Sequence, residues 1–165
     1  MDAADERLAG ILTSEGKNIA GDDTGDLTEN RVSGMVQMSL TVLLVEDEAT
    51  LRQVIARNLA SRGHLVREAA TASEALQEVE GFQPDLLLLD INLPDRSGWD
   101  VLRELRDRGI EIPTVVVSAV RVSPTRLAEF KPLAYLPKPF PLEALLRVVD
   151  ETHEREKTGE PRRSD

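Results

Sequence analysis

Apolar runs with little polar alternation, each followed by apolar residues at three-to-four spacing, set the plan of this chain. Leu40-Thr41-Val42-Leu43-Leu44-Val45 reads as one apolar strand, and Leu51, Val54, Ile55 and Leu59 follow at helical spacing, closed by Gly63. A shorter strand from His64 to Ala69 precedes a helix carrying Ala75, Leu76 and Val79. Leu86–Asp90 is a third strand, after which Trp99, Leu102 and Leu105 mark a third helix ended by Gly109. Val115–Ser118 is a fourth strand and Ala134–Pro137 a short fifth. The last helix is opened by Pro141 and faced by Leu142, Leu145, Leu146 and Val149. Strands that are apolar on both sides are buried on both sides, so the pattern predicts an α/β domain with a parallel sheet covered by helices. Right-handed crossovers place every strand's carboxyl end on one edge of such a sheet.

Residues 1–38 lack this alternation. They are rich in Gly, Asp, Ser, Thr and Asn and read as a disordered acidic leader, within which Met35 and Met38 offer later translation starts. Residues 39–152 form the predicted domain, and residues 153–165 read as a charged, solvated tail. Hydrophobic residues make up 41% of the 165, and aromatics only 3%, so the core has to be aliphatic. Cysteine is absent, which removes disulfides, thiolate metal sites and cysteine nucleophiles. The two histidines cannot build a zinc site alone; His64 reads as structural and His153 as part of the tail. No stretch approaches a membrane span and no signal pattern opens the chain, so no membrane partner and a cytoplasmic location are expected. The net charge of -10 opposes direct binding to nucleic acid, whose affinity rests on neutralising phosphates.

The chemistry gathers at the strand ends. Glu46-Asp47 follows the first strand, Asp90 ends the third, Ser118 ends the fourth, and Lys138 follows the fifth in Leu136-Pro137-Lys138-Pro139-Phe140. In an open parallel sheet such positions converge on one crevice. A carboxylate alone repels an incoming phosphate, and Mg²⁺ removes that objection by bridging the two anions. Asp47 and Asp90 can give it two direct oxygens, with Glu46 reaching through a water, because Mg²⁺ keeps several waters and needs few carboxylates. Lys138 can neutralise one phosphate oxygen and Ser118 can donate to another. Each residue also has a plainer reading. The acids could open a helix, Asp90 with Asn92, Pro94 and Gly98 could be a turn, and Tyr135, Trp99 and Phe140 could be core.

Taken in order, Val45-Glu46-Asp47-Glu48, Leu88-Leu89-Asp90-Ile91-Asn92-Leu93-Pro94, Gly98, Val117-Ser118-Ala119 and Leu136-Pro137-Lys138-Pro139-Phe140 resemble the receiver domain of two-component response regulators, over about Leu40 to Thr152. The resemblance implies a flavodoxin-like, CheY-like, doubly wound sheet of order 2-1-3-4-5. It implies that Asp90 is phosphorylated by a sensor histidine kinase or a phosphotransfer protein. Asp47, Asp90 and the backbone carbonyl of Asn92 would hold Mg²⁺. Ser118 would be the switch hydroxyl, and Tyr135 the aromatic that moves with it. The Lys138–Pro139 bond would be cis. Such a domain catalyses only its own phosphotransfer and dephosphorylation and signals to a downstream protein, with a homodimer left open. The absence of an appended DNA-binding or catalytic domain predicts a stand-alone receiver or a phosphorelay intermediate.

The chain departs from the family pattern between Ser118 and Lys138, where Pro124 and Pro132 predict a short or irregular fourth helix. That departure supports an alternative, a pseudo-receiver that binds a protein partner constitutively. A nucleotide-binding domain of the same class would want a glycine-rich turn where Glu46-Asp47-Glu48-Ala49 stands. A hydrolase with an Asp nucleophile would want a second Asp where Asn92 stands.

Overall fold

The computed structural model describes residues 39–159. Five parallel strands, β1 (Thr41–Val45), β2 (Leu65–Ala69), β3 (Leu86–Asp90), β4 (Thr114–Ser118) and β5 (Ala134–Pro137), form one sheet of order β2-β1-β3-β4-β5. Five helices alternate with them: α1 (Ala49–Ser61), α2 (Ala72–Gly81), α3 (Gly98–Asp107), α4 (Pro124–Phe130) and α5 (Leu142–Thr158). This is the flavodoxin-like, doubly wound arrangement, and the order reverses at β1, beside which β3 lies.

Strand geometry sends alternate side chains to opposite faces. Val42, Leu44, Leu86, Leu88 and Val115 point to one face, where Ile55 and Leu59 of α1 and Leu145, Leu146 and Val149 of α5 cover them. Leu43, Val45, Leu87 and Leu89 point to the other, against Ala75, Leu76 and Val79 of α2 and Val101 and Leu105 of α3. A smaller cluster of Ile91, Trp99 and Val116, with Phe130 and Tyr135 against it, seats α4. Apart from Trp99 the buried apolar residues are aliphatic, as the composition requires. Each buried Leu or Val contributes roughly 1.5–3 kcal/mol.

The fourth helix is short for local reasons. Ser123 caps it, accepting a hydrogen bond from the Arg126 N–H, and Pro124 occupies its first turn. Lys131 ends it in the left-handed region at φ 45°, with Pro132 behind.

The last helix corrects the expected boundary at Thr152, because α5 continues through Thr158 and ends on Gly159 at φ 63°. Thr152 is buried, and its hydroxyl donates to the Val148 carbonyl at 2.8 Å. His153 sits edge-on against His64, ring centroids 5.6 Å apart. Arg155 and Lys157 in the last turn suit the negative end of the helix dipole. His64 is structural, as expected: it is buried and its Nδ1 accepts from the Leu40 N–H at 3.3 Å. The leader of residues 1–38 and residues 160–165 lie outside the described residues.

Candidate functional site

Strand register decides which residues meet. Val45 pairs with Leu89, so Glu46, one residue on, stands beside Asp90. Asp90 pairs with Val117, which brings Ser118 to the same rim, and Ser118 pairs with Pro137, which brings Lys138. Backbone bonds continue this order past the strand ends, from Glu46 N to the Ala69 carbonyl at 3.0 Å, Ile91 N to Val117 at 3.1 Å and Lys138 N to Ser118 at 2.8 Å.

Lys138 Nζ donates to Glu46 Oε2 at 2.8 Å and to Asp90 Oδ2 at 2.9 Å, joining three strand ends. The other Asp90 oxygen, Oδ1, accepts from the Asn92 N–H at 2.9 Å, and Glu46 Oε1 accepts from the Glu48 N–H at 3.1 Å. Carboxylate oxygens of Glu46, Asp47 and Asp90 all lie within 4.8 Å of one another. Glu46 and Asp90 are buried and Asp47 is exposed, so the cluster opens on Asp47's side. The Lys138–Pro139 bond is cis, as expected.

One ammonium faces three carboxylates. Burial pushes the Glu46 carboxyl up, with Asp90 adding to the rise, and outweighs the bonds from Lys138 and the Glu48 N–H that pull it down. For Lys138, burial opposes the charge, but the bonds to Glu46 and Asp90 win and hold its pKa above the ordinary lysine value. Three clustered carboxylates with one ammonium bonded to two of them leave the site with surplus negative charge. An all-oxygen donor set with surplus negative charge fits a hard divalent cation such as Mg²⁺.

Ser118 and Tyr135 are placed differently from the acid cluster. Ser118 is buried and its Oγ accepts from the Val120 N–H at 3.1 Å, while Tyr135 Oη donates to the Val120 carbonyl at 3.4 Å. The two meet across the Val120 residue. Tyr135 is half-buried against the Trp99 cluster, which accommodates its plainer reading as core. Asn92 has an exposed side chain and enters the site through its backbone.

Two contributors escaped the sequence reading. Arg52 Nη1 donates to the Glu46 carbonyl at 2.7 Å and its Nε pairs with Glu68 at 3.4 Å, tying the acid pair's backbone to β2. Asp95 reaches from the loop after β3 to the start of α2. An arginine in the first turn after an acid pair is a usable signal for the first; nothing local betrays the second.

The family profile of the response regulator receiver domain matches residues 42–150. The response regulator MprA of Mycobacterium ulcerans is 38% identical over 111 residues, covering 66% of this chain and 48% of that protein. MprA of Mycobacterium avium is 37% identical over 109 residues, covering 65% and 48%. The chain thus spans about half the length of the curated relatives it matches. The expected absence of a nucleic-acid partner and the stand-alone reading therefore find no support in them. Among solved structures, TrrA from Thermotoga maritima, in complex with Mg²⁺-BeF, has a TM-score of 0.61 at 26% identity, covering 68% of this chain and 98% of that one. A signal receiver domain of a LuxO repressor protein from Vibrio parahaemolyticus reaches a TM-score of 0.66 at 26% identity, covering 74% and 95%. Among the described residues no helix is long and apolar enough to cross a membrane. With strand order, rim residues and profile in agreement, the chain belongs to the response regulator receiver domain family, a regulatory domain of two-component systems.

Proposed function

We propose that this domain is a phosphorylation-controlled signalling module whose acceptor is Asp90. The observation that carries the reading is the Asp90 carboxylate itself. It is buried at the end of the central strand, with one oxygen on Lys138 and the other on the Asn92 N–H, beside Glu46 and Asp47. Such a carboxylate is held in one orientation, the prerequisite for in-line attack on phosphorus. A Mg²⁺ held by Asp47, Asp90 and the Asn92 backbone carbonyl, with Glu46 through a water, would supply the charge that lets two anions approach. That TrrA was solved with Mg²⁺-BeF supports this part of the reading.

In the transfer, an Asp90 oxygen forms a bond to phosphorus as the P–N bond of a sensor kinase's phosphohistidine breaks, the electron pair staying on the imidazole nitrogen. Lys138 moves from the two carboxylates to a phosphoryl oxygen, as a mobile point charge can. Ser118 gives up the Val120 N–H and donates to another oxygen. Tyr135, bonded to the same residue, follows it, and the surface around α4 and β5 changes. Phosphate acts only through the difference in stability of the two arrangements, so the output is a downstream protein that prefers one of them.

The test is intact mass after incubation with Mg²⁺ and a small-molecule phosphodonor. Wild type should gain one phosphate, lost with EDTA and absent in Asp90→Asn. No gain in folded wild type with any donor would replace this reading by the pseudo-receiver, a constitutive binding module.

A further inference from the structure

The loop between β3 and α3 is a compact finger. At its base Gly98 N donates to the Ile91 carbonyl at 2.8 Å, Leu93 N donates to the same carbonyl at 3.2 Å, and Asn92 and Ser97 form an antiparallel bridge. At its tip Asp95 leaves the finger altogether. One carboxylate oxygen accepts from the Ala72 N–H at 2.9 Å; the other accepts from the Ser73 N–H and the Ser73 hydroxyl, each at 2.9 Å.

Helix α2 meets only part of its first turn's capping from its own residues. Its own Thr71 accepts from the Glu74 N–H at 3.1 Å, Glu74 returns to the Ala70 N–H at 2.7 Å, and Ala75 N reaches the Thr71 carbonyl at 3.1 Å. The two N–H groups left, those of Ala72 and Ser73, are the ones Asp95 takes. The finger is thereby bolted at its tip to a separate helix while its base carries the backbone of Asn92, whose N–H fixes Asp90 Oδ1.

We propose that Asp95 is a positioning residue for the cation site, pinning the loop tip to α2 so that the Asn92 backbone stays in place beside Asp47 and Asp90. The inference rests on reading the acid cluster as a cation site. Asp95 touches neither cation nor phosphate; it acts through the finger. Partners behind a metal's direct ligands commonly set affinity by fixing those ligands' orientation.

The experiment is a MgCl₂ titration of the full chain followed by amide NMR shifts at Asp90 and Asn92, on wild type, Asp95→Ala, Asp95→Asn and Thr71→Ala. Asp95→Ala should bind Mg²⁺ roughly tenfold more weakly, the low end for such supporting partners. Asp95→Asn keeps one acceptor oxygen and should fall between, which also serves if the alanine variant is poorly folded. Thr71→Ala removes a cap of the same helix without releasing the finger and should titrate like wild type. Equal weakening in Thr71→Ala, or wild-type affinity in both Asp95 variants, would overturn the proposal and leave the cation site standing. Failure of wild type itself to bind Mg²⁺ would overturn the acid-cluster reading, and this inference with it.

Discussion

Replacing Gly98 by alanine puts a methyl group 2.6 Å from the Asp90 carbonyl oxygen, 2.9 Å from Ile91 Cα and 3.0 Å from Ile91 Cδ1. The first two are backbone atoms of the segment that carries Asp90, and backbone cannot swing aside as a side-chain tip can. Two opposed effects set the sign. Alanine in a helix is favoured over glycine by up to about 1 kcal/mol, and Gly98 is the first residue of α3. Forcing a methyl into filled space costs typically about 1–3 kcal/mol, and a backbone neighbour puts this case toward the upper end. The balance is a net loss of about 1–2 kcal/mol. Gly81, in the last turn of α2, is the control, since a Cβ there meets nothing within 4 Å. Gly81→Ala should therefore gain roughly 0.4–1 kcal/mol. Urea unfolding of both variants beside wild type, with unchanged slope, reads the two numbers directly. A Gly98→Ala variant as stable as wild type would refute the claim that α3 is seated against the Asp90 backbone.

Lys138→Ala should cost about 1–3 kcal/mol near neutral pH, because two buried carboxylates lose their shared donor, and thermal melting should show part of that loss restored by MgCl₂. Leu88→Ala, fully buried in the central strand, should cost about 2–5 kcal/mol in urea unfolding at an unchanged slope. Burial, then the neighbouring His153, lower the His64 pKa from its ordinary 6.5, with Arg62 acting the same way and Asp150 against it. The unfolded chain thus takes up the proton first, and stability should fall as pH drops below about 6.5. Unfolding measured from pH 7.5 down to 5.5 should show that slope in wild type and a shallower one in His64→Gln; equal slopes would place the proton uptake elsewhere.

The sheet was legible because β1, β3 and β4 are apolar on both faces, a pattern only a covered parallel sheet tolerates. The rim residues were legible for the same reason, since parallel strands bring Glu46, Asp90, Ser118 and Lys138 to one edge before any contact is known. The short α4 could be read from Pro124 and Pro132, whose backbone limits are local. The end of α5 could not, because His153 to Thr158 carry no apolar stripe. That turn is held by the packing of His153 on His64, a partner far away in sequence, and by the dipole's preference for Arg155 and Lys157. Asp95 gave no sequence signal for a similar reason, since its partners Ala72 and Ser73 precede it by a helix and a strand. The resting links of Ser118 and Tyr135 to Val120 also depend on loop conformation, which spacing does not determine.

The central claim is that Asp90 carries the phosphate, and borohydride reduction of the phosphorylated protein tests it most directly. An acyl phosphate is reduced to the alcohol, so digestion and tandem mass spectrometry should find homoserine in place of Asp90 and nowhere else. Homoserine in place of Asp47 or another acid, or a reduction-resistant phosphate on Ser118, would contradict it.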